Sequence, residues 1–484
     1  MTVDKIAICP ICGKKTWLRI VEGDYLSEYP IRIHCMNCHT LIKGSYIMEE
    51  GVGTARGLRL YNANAVECKA TQVKTDETTD GIIAQNADYI AEISGELPCR
   101  KVKEYDKKTI PESIVLRTDN QTSLSGRIEQ LRRFTHNQRE WKRKKSIAFQ
   151  LLEDGGFEFL RIALGDRMGE FKYSCDSREK TLHCLQEIVL QETETLFINP
   201  DQYHTILLLL NSLSEISQEK LHSFTERLGG IQSLIEIYKN AVEVFSRFMS
   251  VYPCLLPAET FMRYRAFDHQ LGISTCSFTD IKTFYQDSYE SLLSLIIIPV
   301  CLDNILLRGS YLSFNPSVFS RVEKREKDVK AVKQQGRDFD DYEWFLSFDH
   351  GMKLSRLQRQ ETIQSIVALP GNRYLRNGIG HNNIRYDGLS QTITVYDQKN
   401  PTKINLELSL MSMAMDCLKL ARSAVVLSEI VLFIVRRECT DSNHCIIHPS
   451  FYHDTGTYDI CPCGSGKKYK WCCKPFVDGL TTTR

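Results

Sequence analysis

Three things are scarce in this 484-residue chain, and each scarcity excludes something. Net charge is nearly absent: 61 Lys and Arg stand against 60 Asp and Glu, a formal +1. A protein that coats nucleic acid with its whole surface is thereby excluded, and any basic surface must be local. Long apolar runs are also lacking. The two most apolar stretches, LLSLIIIPVCL (292–302) and AVVLSEIVLFIV (424–435), are shorter than the ~20 residues of a membrane span, and the second carries Glu429. They read as buried helices, and no membrane partner is expected. The N-terminus, MTVDKIAICPICG, has no apolar run and enters a cysteine motif at once, so the chain is expected to be cytoplasmic. There is no internal repeat and no long low-complexity tract, which excludes solenoid and fibrous architectures.

Cysteine, by contrast, is plentiful. Eight of the 18 cysteines fall in two tight clusters, one near each end, and a long chain without a secretory signal uses such clusters for metal rather than for disulfides. Cys9-Pro-Ile-Cys12 is followed after 22 residues by Cys35-Met-Asn-Cys38. Two residues between paired cysteines let both sulfurs reach one ion at ~2.3 Å, and Gly13 permits the turn after the first pair. The spacing predicts a four-thiolate structural zinc on Cys9, Cys12, Cys35 and Cys38. His34 and His39 flank the second pair as alternative ligands. The other cluster, CPCGSGKKYKWCC (461–473), has the pattern C-x-C-x8-C-C, with Lys467, Lys468, Lys470 and Lys474 around it. Thiolate-only coordination leaves no open position, so zinc is expected to organise structure in both places and to do no chemistry. HCIIH (444–448) reads as linker.

The pattern along the chain predicts a mainly α, multi-domain α+β protein. Residues 1–50 are expected to form a zinc ribbon on short strands such as TWLRIV and IRIH, and 51–126 a β-rich extension containing NADYIAEISGEL (86–97). Residues 127–275 read as a helical region, with Pro253 and Pro257 marking a break, and 276–440 as a second helical domain holding a short strand pair, SQTITVYD and TKINLELS. Residues 441–484 form a linker and the second cysteine cluster. The helical region opens on a basic run, 127–145, in which eight of nineteen residues are Arg or Lys. There Arg132, Arg133, Arg139, Lys142, Arg143, Lys144 and Lys145 are interleaved with Phe134, His136 and Trp141. Cations for phosphates and rings for unstacked bases suit RNA, and a solvated helix face is the alternative.

RYLRNGIGHNNIRYD (373–387) sets an arginine, an amide and a histidine around Gly378 and Gly380. Histidine titrates near neutrality and can take or give the proton in an attack by a ribose 2′-hydroxyl. Arginine offers a fixed fork to the phosphate as charge builds. Two glycines, each costing a helix roughly 1 kcal/mol, predict a break that lets His381 swing back toward Arg376.

Two resemblances sharpen these readings. The segment 461–473 resembles the SEC-C zinc motif of the preprotein translocase motor, and the resemblance implies Cys461, Cys463, Cys472 and Cys473 as ligands; the four lysines around them make a cationic knob suited to an acidic partner or a phosphate backbone, with a solvated tail as the alternative. Arg376-Asn377-x-x-x-His381, between apolar helices at 289–305 and 408–437, resembles the signature of HEPN domains. That resemblance implies a helical bundle with metal-independent endoribonuclease activity, and a homodimer whose two motifs face each other. It further implies His381 as general acid/base, Arg376 as phosphate clamp, Asn377 as orienter, and an acidic helper, Glu290 or Asp303. Bacterial anti-phage defence or a toxin-like stress response is the implied setting. The alternative is a zinc-containing adaptor of the same type that binds RNA or a protein without cutting.

Overall fold

The computed structural model describes residues 2–22, 28–48, 57–62, 64–78, 81–108, 208–264, 271–319, 340–439, 455–461 and 466–481. The basic run 127–145, with its seven candidate RNA-binding cations, lies outside the described residues, as do 109–207. Of the described residues about 48% are helical and 22% are strand. This corrects the expectation of a mainly α protein: strand is a substantial part of the chain, and the class is α+β. Two compact units divide the chain discontinuously. The first comprises Met1–Asn137, Arg247–Gln286 and Tyr374–Leu418, the second Gln138–Ser246, Asp287–Arg373 and Lys419–Arg484.

The first unit is built on strands β1 (Thr2–Ile8), β2 (Lys15–Val21), β3 (Glu28–His34), β4 (Leu41–Ile47), β5 (Gly57–Asn62), β6 (Ala70–Gln72), β7 (Thr75–Thr78), β8 (Gly81–Ala84), β9 (Tyr89–Ser94), β10 (Cys99–Arg100) and β11 (Lys103–Glu104). One sheet runs β11-β9-β2-β1-β6, with β2 and β9 parallel and its other pairs antiparallel. A second runs β3-β4-β5. Alternation explains why the first sheet is buried on both faces. Ile6 opposes Trp17 and Trp17 opposes Ile90, and all three join one cluster with Ala84 and Tyr105. Ala7, Leu18, Ile20, Ala91 and Ile93 point the other way and meet Ile31, Ile33, Ile42 and Leu60 of the second sheet. Trp17 can be fully buried because its indole N–H donates to Asp4 Oδ1 at 2.8 Å.

Later segments complete this unit. β12 (Leu271–Gly272) pairs with β10, and a meander of β13 (Ile384–Asp387), β14 (Thr392–Tyr396) and β15 (Ile404–Ser409) forms a third antiparallel sheet. β14 and β15 fall on the expected strand pair, and β13 joins them.

Among the described residues the helices include α1 (Gln218–Arg227), α2 (Gly230–Tyr264), α3 (Phe278–Ser294), α4 (Ile297–Arg308), α5 (Asp341–Ser347), α6 (His350–Arg356), α7 (Thr362–Val367), α8 (Arg373–Gly380), α9 (Leu410–Cys439) and α10 (Lys474–Thr481). α2 does not break at its prolines: Pro253 and Pro257 both lie inside it. Leu255, Leu256 and Ala258 around them are buried, and the Tyr252 hydroxyl donates to the buried Glu259 carboxylate across both prolines at 3.0 Å. Tertiary burial outweighs a local cost of roughly 3 kcal/mol per proline. The run Phe278–Arg308 is also longer than its most apolar stretch. By length and composition it is apolar enough to cross a membrane, and 72% of its most apolar window is buried inside the protein, as in a core helix.

Candidate functional site

The N-terminal cysteines sit on two knuckles of the same design. After β1, Gly13 donates its N–H to the Cys9 carbonyl at 2.9 Å and the Cys9 N–H reaches Lys14 at 2.9 Å. After β3, His39 donates to the Cys35 carbonyl at 2.8 Å and the Cys35 N–H reaches Thr40 at 2.9 Å. Gly13 and His39 both take left-handed backbone, with φ of 69° and 58°. The knuckles interleave: Cys9 Sγ lies 3.5 Å from Cys38 Sγ, and Cys12 Sγ 3.6 Å from Cys35 Sγ. All four sulfurs lie within 4.8 Å of one another. A tetrahedron of ~2.3 Å zinc–sulfur bonds has edges of about 3.8 Å, so the four thiols fit a zinc ion by number, type and spacing. His34 packs elsewhere, its ring edge-on to Tyr386 at 6.1 Å and against Gly388, where a Cβ would lie 2.2 Å from the imidazole. Burial pushes the His34 imidazole below its ordinary pKa.

At the C-terminal end, Cys461, Cys472 and Cys473 gather with their sulfurs within 4.8 Å, and all three are buried. Cys463 lies outside the described residues. The Cys461 N–H donates to Lys467 O at 2.8 Å, Ile460 makes an antiparallel bridge with Lys468, and Gly466 has φ 69°. Cys472 and Cys473 place their sulfurs 3.8 Å apart at the start of α10. Either cluster could hold a metal ion, and thiol donors make zinc the fitting one.

Arg376, Asn377 and His381 lie on or just past α8, in the same unit as the N-terminal cysteine cluster. The Arg376 guanidinium donates from Nη1 to Asn377 Oδ1 at 2.9 Å. Asn377 and His381 are exposed. The expected break does not occur. His381 donates its N–H to the Asn377 carbonyl at 2.9 Å, so the helical ladder runs through both glycines. α8 then ends in a Schellman motif: Asn382 is left-handed at φ 56°, its N–H reaches Ile379 O at 3.3 Å, and the Asn383 N–H reaches Gly378 O at 2.9 Å. Gly378 serves close packing instead. A Cβ there would lie 2.6 Å from Val395 Cγ1 of β14. On an unbroken helix, positions five apart are turned about 140° from each other, so Arg376 and His381 face different ways.

The two acidic candidates have other work, both in the second unit. Asp303 is fully buried and accepts the N–H groups of Ile363 and Gln364 at 2.9 and 3.0 Å, capping α7 from a neighbouring helix. Burial pushes its carboxyl above the usual range in spite of these bonds. Glu290 pairs with His350.

The pattern of residues did not reveal one feature of the C-terminal centre. Tyr458 and Trp471 are more than half exposed beside buried cysteines. Their positions next to a thiolate cluster too small to cover them were the available signal. Comparison of the chain with models of known protein families, with curated proteins and with solved structures finds no match.

Proposed function

We propose that this chain is a zinc-stabilised, metal-independent endoribonuclease of the HEPN type, with a SEC-C-like knuckle at its C-terminal end. The observation that carries the reading is the short helix α8, which presents a guanidinium hydrogen-bonded to an exposed amide, with an exposed imidazole one turn on. In this scheme Asn377 steers the Arg376 fork toward the scissile phosphate. The ribose 2′-oxygen bonds to phosphorus as the P–O5′ bond breaks, leaving a 2′,3′-cyclic phosphate. His381 takes the 2′-hydroxyl proton or returns one to the departing 5′-oxygen. Because Arg376 and His381 diverge on one helix, the scheme places them in one cleft by pairing two copies of the chain, so a homodimer is part of the proposal. The setting in anti-phage defence or stress response rests on the family resemblance.

One observation favours a second reading. The unbroken helix keeps Arg376 and His381 apart, as suits an adaptor that holds RNA or a protein without cutting it. The two readings separate in a single assay. Purified protein is incubated with total RNA and tRNA in excess EDTA, alongside His381→Ala and Arg376→Ala. Fragments with cyclic-phosphate ends that vanish in both variants establish the nuclease. Cleavage that survives both substitutions sinks the site, and RNA bound intact by all three proteins speaks for the adaptor.

A further inference from the structure

The C-terminal centre closes its sulfurs in and turns its rings out. Cys461, Cys472 and Cys473 are 1, 7 and 0% exposed, whereas Tyr458, Ile460 and Trp471 are 58, 65 and 60% exposed. A structural knuckle needs the first set and gains nothing from the second, since each large apolar side chain left in water forgoes roughly 1.5–3 kcal/mol of burial. The two rings meet edge to face at 6.0 Å. The Lys468 ammonium lies 6.0 and 5.9 Å from the Tyr458 and Trp471 ring centroids, and that of Lys470 lies 5.1 and 5.7 Å from them. Lys470 Nζ also donates to the Tyr458 hydroxyl at 3.2 Å. The nearby carboxylates are occupied locally: Asp459 accepts the Gly456 N–H at 2.8 Å, and Asp478 pairs with Lys474 at 2.8 Å. What remains is a compact face of two π surfaces and fixed positive charge.

We propose that this face binds single-stranded nucleic acid, with unstacked bases on Trp471 and Tyr458 and the adjoining phosphates on Lys468 and Lys470. The combination selects the partner. An acidic protein surface would engage the lysines and leave the rings idle, whereas a single strand offers both a charged backbone and a π face on every base. No sequence preference is expected, because every base stacks. The site uses no residue of α8, so it holds whether or not His381 cuts RNA, and a strand without 2′-hydroxyls tests it independently of cleavage.

The test titrates the full-length protein with a thymidine 15-mer of DNA, following anisotropy of the labelled strand and intrinsic tryptophan fluorescence. Of the four tryptophans, Trp17 is buried, Trp344 is half-buried against Phe319 and Trp141 lies outside the described residues, so the signal of Trp471, 60% exposed, is read as the difference between wild type and Trp471→Ala. Binding is expected with quenching that disappears in Trp471→Ala, and that variant should bind roughly five- to a hundredfold more weakly. Trp471→Phe should retain most of the affinity. Lys468→Ala/Lys470→Ala should lower the slope of log affinity against log salt by about 1.4, at about 0.7 per phosphate contact. An abasic 15-mer should bind at least tenfold more weakly than the thymidine strand. Zinc content equal to wild type shows that each variant keeps its fold. Equal binding by wild type and Trp471→Ala overturns the proposal. So does equal binding of the abasic strand, or competition by polyglutamate as effective as by DNA, either of which would mark a charge-only dock for an acidic protein.

Discussion

His39 stands in the second cysteine knuckle where Gly13 stands in the first. Each follows the second cysteine of its pair, each is left-handed, and each donates its N–H to the carbonyl of the first cysteine. Only the first position carries the residue that the geometry favours. Gly13→Ala is expected to cost about 1 kcal/mol. A Cβ there meets nothing within 4 Å, so the cost is conformational rather than steric. His39→Gly is expected to leave stability unchanged or raise it by up to about 1 kcal/mol. Denaturant unfolding of the zinc-loaded proteins measures both.

Two zinc ions per chain are expected by elemental analysis of protein purified without added metal. Cys9→Ser or Cys35→Ser should remove one of them and melt the N-terminal sheets, because metal affinity in such sites is folding energy. Cys472→Ser should remove the other and leave the N-terminal ion in place. Retention of both ions by any of these variants would refute the ligand assignment.

Gly378→Ala reverses the usual sign of its class. Replacing glycine within a helix ordinarily stabilises by about 1 kcal/mol. Here the new methyl would press on Val395 at 2.6 Å, and a loss of about 1–3 kcal/mol is expected instead. Val395→Ala should recover part of that loss in the double variant, which a denaturation cycle would reveal.

His222 gives a pH-dependent signal. Its Nδ1 lies 2.8 Å from Glu438 Oε2, and the hydrogen bond and charge of Glu438 raise the imidazole above its ordinary pKa. A raised folded value means that the pair stabilises fully below about pH 6.5, the unfolded value, and that the contribution fades as pH rises through the folded one. Glu438→Gln should bring the imidazole back toward its ordinary value in an NMR titration. An unshifted titration in wild type would show that the pair does not form in solution.

The gathering of Cys9, Cys12, Cys35 and Cys38 was legible because its signal is local: cysteine spacing fixes the knuckles, and alternation in TWLRIV and IRIH fixes strands beside them. Misreadings came where distant contacts decide. Pro253 and Pro257 read as a break, and only the buried surroundings of Tyr252 and Glu259 keep α2 running. Gly378 and Gly380 read as a hinge, yet the partner that requires glycine at 378 is Val395, 17 residues further on. The helical bias of the first reading has a similar origin. Long amphipathic stretches announce themselves, whereas pairs such as β10 with β12 are two residues long and too short to show a period. Asp303 was one of two candidate helpers, with Glu290, because the family resemblance implies an acidic residue on an earlier helix, and the sequence does not tell a capping carboxylate from an active-site one. The role of Asp303 became plain only with the α7 N–H groups in view.

The pairing of early and late segments in the first unit bears on how the protein is made. The Arg32 N–H donates to Ser274 O at 2.7 Å, the Ser94 N–H reaches Ser274 Oγ at 3.1 Å, and Cys99 pairs with Gly272. A ribosome must therefore translate well over two hundred further residues after Cys38 before the segment around Gly272 and Ser274 emerges. During that interval, roughly ten seconds or more at the usual 5–20 residues per second, Cys9 to Cys38 stand in an unfinished unit. A metal ion captured early by these four cysteines would hold the two knuckles together through the wait and act as a placeholder during synthesis.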